Sequence, residues 1–349
     1  MVGNTLTNRV LIVSDAWAPQ VNGVVRTLAS VTDELTSLGH SAAVIGPDAF
    51  RTVPCPTYPE IRLSLFPRRS LAHRIADFAP DTLHIATEGP LGMAARRWAL
   101  HRGFRFTTSF HTRFPEYIAA RTGFPPAPIY AWLRRFHAAG SGMLVAAESL
   151  RDELSRRGFA HIRPWTRGVD LALFHPGART DWALPRPVFL YVGRIAIEKN
   201  IAAFLDLSLP GSKLVVGDGP QLASLRRAYP DVHFIGARYG AALAAAYASA
   251  DVMVFPSRTD TFGLVLLEAL ACGTPVAAFP VSGPSDVLLG RAAGEVGILH
   301  TDLGYAALAA LTLNRADCRA YAEQFTWRRA SELFLANLVP MHEQSARLL

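Results

Sequence analysis

The sequence predicts an α/β chain made of two similar halves, each a parallel sheet flanked by helices. Three observations carry this. Short apolar runs rich in β-branched residues recur, each followed by a loop marked by glycine or proline and then a helical stretch. The runs are continuous rather than alternating, as strands buried on both faces are. The alternation restarts after Phe174 to Pro187 (FHPGARTDWALPRP), a segment with three prolines and a glycine that reads as the linker between the halves. At 349 residues and 50% hydrophobic, the chain suits two domains of roughly 150 to 200 residues.

In chain order, Asn8 to Asp15 (NRVLIVSD) reads as the first strand and Ala16 to Gly23 as its loop. Val24 to Leu38 reads as a helix, with apolar positions at Val25, Leu28, Val31, Leu35 and Leu38 and a stop at Gly39. Ser41 to Gly46, Thr82 to Ala86, Phe104 to Ser109 and Met143 to Ala147 are the next strands. Beyond the proline-rich segment, strands are expected at Val188 to Val192, Lys213 to Val216, Val232 to Ile235, Val252 to Phe255 and Pro275 to Phe279. Helices are expected at Ile201 to Leu207, Gln221 to Ala228, Ala241 to Ala250 and Leu264 to Cys272. A last helix starts after Thr326, a good N-cap. The expected division is therefore a first domain over 1–180, a second over 181–325, and a C-terminal helix over 326–349 that packs back on the first.

Composition narrows the function classes. With 18% charged residues and abundant apolar ones, long disorder is not expected. No run of about 18 apolar residues is present, so no spanning helix is expected. The first nine residues lack the order of a signal peptide, which makes a cytoplasmic protein the expectation. Three widely spaced cysteines, Cys55, Cys272 and Cys318, argue against a disulfide framework or a structural zinc site. The net charge is +7, and residues 1–183 carry all of it, with 21 arginines against 14 acids. A basic half points to an anionic partner.

Four stretches hold candidate chemistry. In Asp260 to Glu268 (DTFGLVLLE), a helix starting near Phe262 or Gly263 would offer backbone N–H groups and a positive dipole end to a phosphate. Asp260 and Glu268 would then be left for hydroxyl groups. The plainer alternative is a surface helix with an aspartate cap and an exposed glutamate. Gly193 to Asn200 (GRIAIEKN) follows the first strand of the second half, where Arg194 and Lys199 can clamp a diphosphate. A solvated Glu198–Lys199 pair is the alternative there. Only two of the 35 basic residues are lysines, so Lys199 stands out. Gly217 to Pro220 (GDGP) lacks both the Walker pattern and the dinucleotide fingerprint, and reads as a tight strand-to-helix turn. In Ser109 to Glu116 (SFHTRFPE), His111 falls at a strand end, although a lone histidine is more often structural. No His, Cys or acid cluster has metal-ligand spacing. Basic and aromatic residues interleave from Arg96 to Phe136, with a second basic, apolar segment at Arg62 to Arg74. Either they meet a membrane surface, or the aromatics are core and the arginines ordinary surface. No nucleic-acid motif accompanies them.

These residues together resemble the retaining glycosyltransferases of family 4. The strongest element is PSRTDTFGLVLLEALACGTPVAA, Pro256 to Ala278. An acid, seven residues, a glutamate and a following Gly-x-Pro-Val is the family pattern. The resemblance covers nearly the whole chain. It implies the GT-B fold, two facing Rossmann-like domains with a deep cleft between them. It implies that Arg194 and Lys199 hold a donor diphosphate and that Glu268 binds ribose hydroxyls. Asp260, with the backbone of Phe262, Gly263 and Leu264, would hold the donor sugar and a phosphate. His111 would lie beside the transferred sugar, and Gly23 would line the phosphate and acceptor side. The first acid is usually glutamate, and the shorter Asp260 departs from that pattern.

Trp17 to Leu28 (WAPQVNGVVRTL), Thr87 to Gly92 (TEGPLG) and Phe110 to Tyr117 (FHTRFPEY) are similar to enzymes that glycosylate diacylglycerol and to GDP-mannose-dependent mannosyltransferases. The expected reaction is retaining transfer of a hexose, glucose or glucuronic acid favoured, from a nucleotide-diphosphate sugar with UDP favoured. The expected acceptor is diacylglycerol, reached at an anionic membrane surface through the N-terminal domain. That makes the protein peripheral on the inner face of the cell membrane, with no nucleic acid, cofactor or metal. GDP-mannose-dependent mannosyl transfer to a lipid or saccharide is the alternative. A non-catalytic sugar-nucleotide-binding protein is a distant one, and a nicotinamide enzyme lacks its fingerprint here.

Overall fold

The computed structural model describes residues 8–55, 58–288 and 292–342. The chain forms two compact units. The first comprises 1–112, 125–166 and 327–349; the second comprises 113–124 and 167–326.

In the first unit, strand β1 (Arg9–Val13) leads to helix α1 (Gly23–Ser37) and strand β2 (Ser41–Ile45). The Asn22 carboxamide oxygen starts α1 by accepting the Val24 and Val25 N–H groups, both at 3.0 Å. Leu28, Val31 and Leu35, spaced for one helical face, are buried as the periodicity requires. Next come an antiparallel hairpin of β3 (Thr52–Cys55) and β4 (Tyr58–Ser64), then helix α2 (Arg68–Phe78). Strand β5 (Thr82–Ile85), helix α3 (Pro90–His101) and strand β6 (Thr107–Ser109) follow. After helix α4 (Phe114–Thr122), which belongs to the second unit, come α5 (Pro126–His137), β7 (Gly142–Val145), α6 (Glu148–Arg156) and β8 (Ile162–Pro164). The sheet is parallel throughout, in the order β2-β1-β5-β6-β7-β8.

The last helix, Trp327–Asn337, closes this unit. Its Phe334 is buried with Val10, Ile12, Leu28 and Trp165. The Trp165 indole N–H donates to Ala330 C=O at 3.1 Å.

The second unit runs β9 (Val188–Val192), α7 (Ala202–Leu205), β10 (Ser212–Val216), α8 (Leu222–Ala228) and β11 (His233–Phe234). It continues with α9 (Gly240–Ser249), β12 (Val252–Phe255), α10 (Leu264–Ala271), β13 (Val276–Ala278) and β14 (Gly297–Leu299). Its parallel order is β11-β10-β9-β12-β13-β14, the doubly wound arrangement of dinucleotide-binding folds. Phe189, Tyr191, Phe204, Val215 and Val254 are in its core.

The structure differs from the sequence expectation in four places. The units part at 166/167, not at 180/181. Phe174 to Pro187 packs on the second unit instead of linking the two. Arg179 donates to Ala248 C=O at 3.1 Å, and the Thr180 N–H donates to the Ser249 hydroxyl at 2.8 Å. Residues 113–124 also join the second unit. The hairpin β3–β4 was hidden by Pro54 and Pro59, which a two-stranded ribbon accepts because its outer edges need no donors.

Candidate active site

In a doubly wound sheet, ligands bind beyond the carboxyl ends of the two strands where the strand order reverses. In the second unit those strands are β9 and β12. The loops leaving them carry Arg194 to Lys199 and Pro256 to Gly263.

The first loop is held against the β10 turn. The Gly193 N–H donates to Val216 C=O at 3.0 Å and the Ile195 N–H to Asp218 C=O at 2.8 Å. Gly217 makes this possible: a Cβ there would lie 1.9 Å from Gly193 O. The GDGP stretch is thus a tight turn that locks its neighbour. A single 3₁₀ turn, Ile197–Lys199, ends the loop.

Lys199 Nζ then donates to Asp260 Oδ1 at 2.5 Å, so the structure brings two of the expected residues together. Burial by itself would lower the Lys199 pKa, but the Asp260 carboxylate and the Tyr117 hydroxyl outweigh it and raise it. The ammonium is therefore charged at any physiological pH. Asp260 Oδ2 is buried and makes no hydrogen bond among the described residues. Two further bonds tie the loops: Thr259 Oγ1 donates to Glu198 C=O at 3.1 Å, and Asn200 Nδ2 to Pro256 C=O at 3.0 Å. Arg194 is half-buried, and its carbonyl accepts the Tyr191 hydroxyl at 2.7 Å.

The plainer alternatives for these residues do not hold. Glu198 and Lys199 do not form a solvated pair, because Glu198 is buried against Arg121 at 3.0 Å. Asp260 does not cap α10; Gly263, in the left-handed region at φ 94°, occupies that position, and no side chain caps the helix among the described residues. Leu264 is the first residue of α10, and Phe262 is buried just before it. Glu268 is not exposed. It is only 3% accessible and accepts the Tyr247 hydroxyl at 2.9 Å. Tyr247, Tyr117 and Arg121 escaped the sequence reading because their partners are distant in the chain.

Gly23 and His111 belong to the first unit. Gly23 is the exposed first residue of α1. His111, just past β6, is buried edge-on to Trp165 with ring centroids 5.6 Å apart. Here the order reverses between β1 and β5, yet the place is taken by the chain itself. Asp15, following β1, accepts the Leu91 N–H at 2.8 Å and the Gly92 N–H at 3.2 Å, both in the first turn of α3. Thr87 adds a 2.9 Å bond. Burial raises the Asp15 pKa despite these bonds. A carboxylate thus fills the helix start that could have taken a phosphate, whereas α10 has no such stopper.

The fold is that of a known class. A sucrose-phosphate synthase from Thermosynechococcus elongatus superposes with a TM-score of 0.74 over 94% of this chain and 97% of that one, at 21% identity. Two Rossmann-like domains of this kind are the GT-B fold. Residues 21–173 match the family model described as Glycosyltransferase Family 4, and residues 186–314 the one described as Glycosyl transferases group 1. The chain belongs to glycosyltransferase family 4. It is 33% identical to a GDP-mannose-dependent alpha-mannosyltransferase of Mycobacterium tuberculosis, over 80% of this chain and 81% of that protein. It is 25% identical to an alpha-monoglucosyldiacylglycerol synthase of Streptococcus pneumoniae, over 87% and 78%.

Proposed function

We propose that the protein is a retaining hexosyltransferase that moves a hexose from a nucleoside-diphosphate sugar, GDP-mannose foremost, to a lipid acceptor at the inner face of the cell membrane. The observation that carries this is the Lys199–Asp260 pair at the second unit's switch point, with Asp260 Oδ2 buried and unused. An arriving diphosphate competes with Asp260 for Lys199. The released carboxylate then accepts hydroxyls of the donor sugar. Arg194, Lys199 and the uncapped start of α10 stabilise the charge that grows on the departing diphosphate. Glu268, oriented by Tyr247, takes the ribose hydroxyls. The bond from the anomeric carbon to phosphate oxygen breaks as the bond to the acceptor oxygen forms on the same face. The acceptor's proton passes to the departing phosphate.

UDP-glucose leads on sequence resemblance, but the mannosyltransferase match has the higher identity and moves the preference to GDP-mannose. The lipid acceptor draws support from the first unit, where 20 arginines face 13 acids. At its surface Phe66 is 94% exposed and Leu65 41%, followed by exposed Arg68 and Arg69 at the start of α2. Cations are disfavoured at a helix N-terminus, so this cluster is kept against local stability and suits an anionic interface. The Arg96–Phe136 stretch offers less. Phe106, Tyr130 and Phe136 are buried, and Arg96 and Arg102 stack on Phe136 and Trp98.

A donor panel tests the reading, with GDP-mannose, UDP-glucose and UDP-glucuronate offered against diacylglycerol and phosphatidylinositol in vesicles. Lipid mass spectrometry should show a single added hexose, most from GDP-mannose. Product from UDP-glucose on diacylglycerol alone would favour the glucosyl reading. No lipid product from any donor would reject the lipid acceptor.

A further inference from the structure

Helix α4 is carried by chain segments of the first unit but packs in the second. Tyr117 and Arg121, spaced four apart, share one face of this helix, and Arg113 precedes it as the N-cap residue. Each meets a different part of the second unit. Arg113 Nη2 donates to Ser282 Oγ at 2.9 Å. Tyr117 lies on the helix that packs against the Ile197–Lys199 turn, within electrostatic reach of the Lys199 ammonium. Arg121 Nη2 reaches both oxygens of Glu198, at 3.0 and 3.2 Å.

The position of Glu198 gives this contact its meaning. Glu198 is the residue before Lys199, inside the single 3₁₀ turn of the loop. Ile195, Ala196 and Ile201 anchor the loop on either side, while Ile197 is exposed, so within the turn it is the Glu198 side chain that packs inward. The Glu198 side chain is only 2% accessible and that of Arg121 17%. A buried carboxylate stripped of its cation is left uncompensated, which disfavours the present placement of the turn that carries it. That turn also carries Lys199.

We propose that the Arg113, Tyr117 and Arg121 contacts position Lys199 for the donor, with Arg121 acting through Glu198 and Tyr117 acting electrostatically on the lysine ammonium. Arg121 is a positioning residue, because it bonds Glu198 rather than Lys199 itself. The inference rests on the reading that Lys199 holds the donor diphosphate.

The full chain tests it, using Arg121→Gln, Arg121→Lys, Tyr117→Phe, the exchange Arg121→Glu with Glu198→Arg, and Lys199→Ala as reference. The readouts are GDP and UDP affinity by calorimetry, KM and kcat for donor and acceptor, and Tm. Arg121→Gln should weaken diphosphate binding about tenfold, the scale of one oriented charge-assisted contact. It should raise donor KM and leave acceptor KM unchanged. Arg121→Lys and the exchange should recover part of the loss, which general loosening of the fold would not allow. Tyr117→Phe removes one hydroxyl and keeps the ring, so it tests these contacts even where Arg121→Gln fails to fold. It should weaken binding several-fold at constant Tm. Wild-type affinity in folded Arg121→Gln or, should that variant not fold, in Tyr117→Phe would overturn the inference while Lys199→Ala still loses binding. Full binding by Lys199→Ala would overturn the reading of Lys199 and the inference together.

Discussion

At the scale of single residues, the second unit is organised by burial and pairing more than by net charge. Lys199, Asp260 and Glu268 were legible in the sequence because their loop and helix contexts are local: a cation after a strand, an acid before a helix start, a glutamate within that helix. Their partners were not. Tyr247 lies in α9 and Arg121 in α4, and only the folded sheet brings them to Glu268 and Glu198. Burial also decides the cysteines. It pushes the Cys272 and Cys318 thiols up to about 12, with the Glu268 carboxylate adding to the effect at Cys272. Both values lie above the ordinary 9.0, so the stabilisation that this shift brings is complete below pH 9. It is lost as pH rises from 9 towards 12. Native protein should therefore lose stability to urea above about pH 9. A thiol reagent at neutral pH should label Cys55 alone until denaturant exposes the other two. Rapid native labelling of all three would contradict this.

At the scale of elements, most strands and helices follow the apolar runs, because buried parallel strands and one-sided helices write their environment into composition. The exceptions have physical causes. Prolines concealed the hairpin β3–β4. The segment 174–187 looked like a linker because proline and glycine dominate it. Its backbone and arginines nevertheless find acceptors on α9 and the residues just after it. The last helix was foreseen from Thr326, and the structure shows what holds it. Phe334 is fully buried against α1 and Trp165. Phe334→Ala should cost about 3–5 kcal/mol in urea unfolding, the usual cost of emptying a buried phenylalanine site. A loss below about 1 kcal/mol would mean that this helix is not anchored by its core contact.

At the scale of the whole molecule, two sheets of related topology have taken different roles. The first closes its switch point with Asp15; at the second, no side chain caps the start of α10 among the described residues. The +7 charge belongs wholly to the first unit, which matches the basic half visible in the sequence even though the boundary moved. If that charge and the Leu65–Phe66 tip serve membrane contact, Phe66→Ser with Arg68→Ser and Arg69→Ser should lower flotation with phosphatidylglycerol vesicles at least several-fold. Wild-type binding should fall as salt rises. Unchanged flotation would remove the tip from the membrane reading and leave the donor site untouched. The donor site itself is the central claim. Its most direct test is the rate of hexose transfer from GDP-mannose by wild type and Lys199→Ala, with Tm measured on the same samples. Loss of one ammonium contact to a diphosphate should lower kcat/KM by at least about tenfold, with the fold retained. A folded Lys199→Ala variant with wild-type kcat/KM would contradict the account.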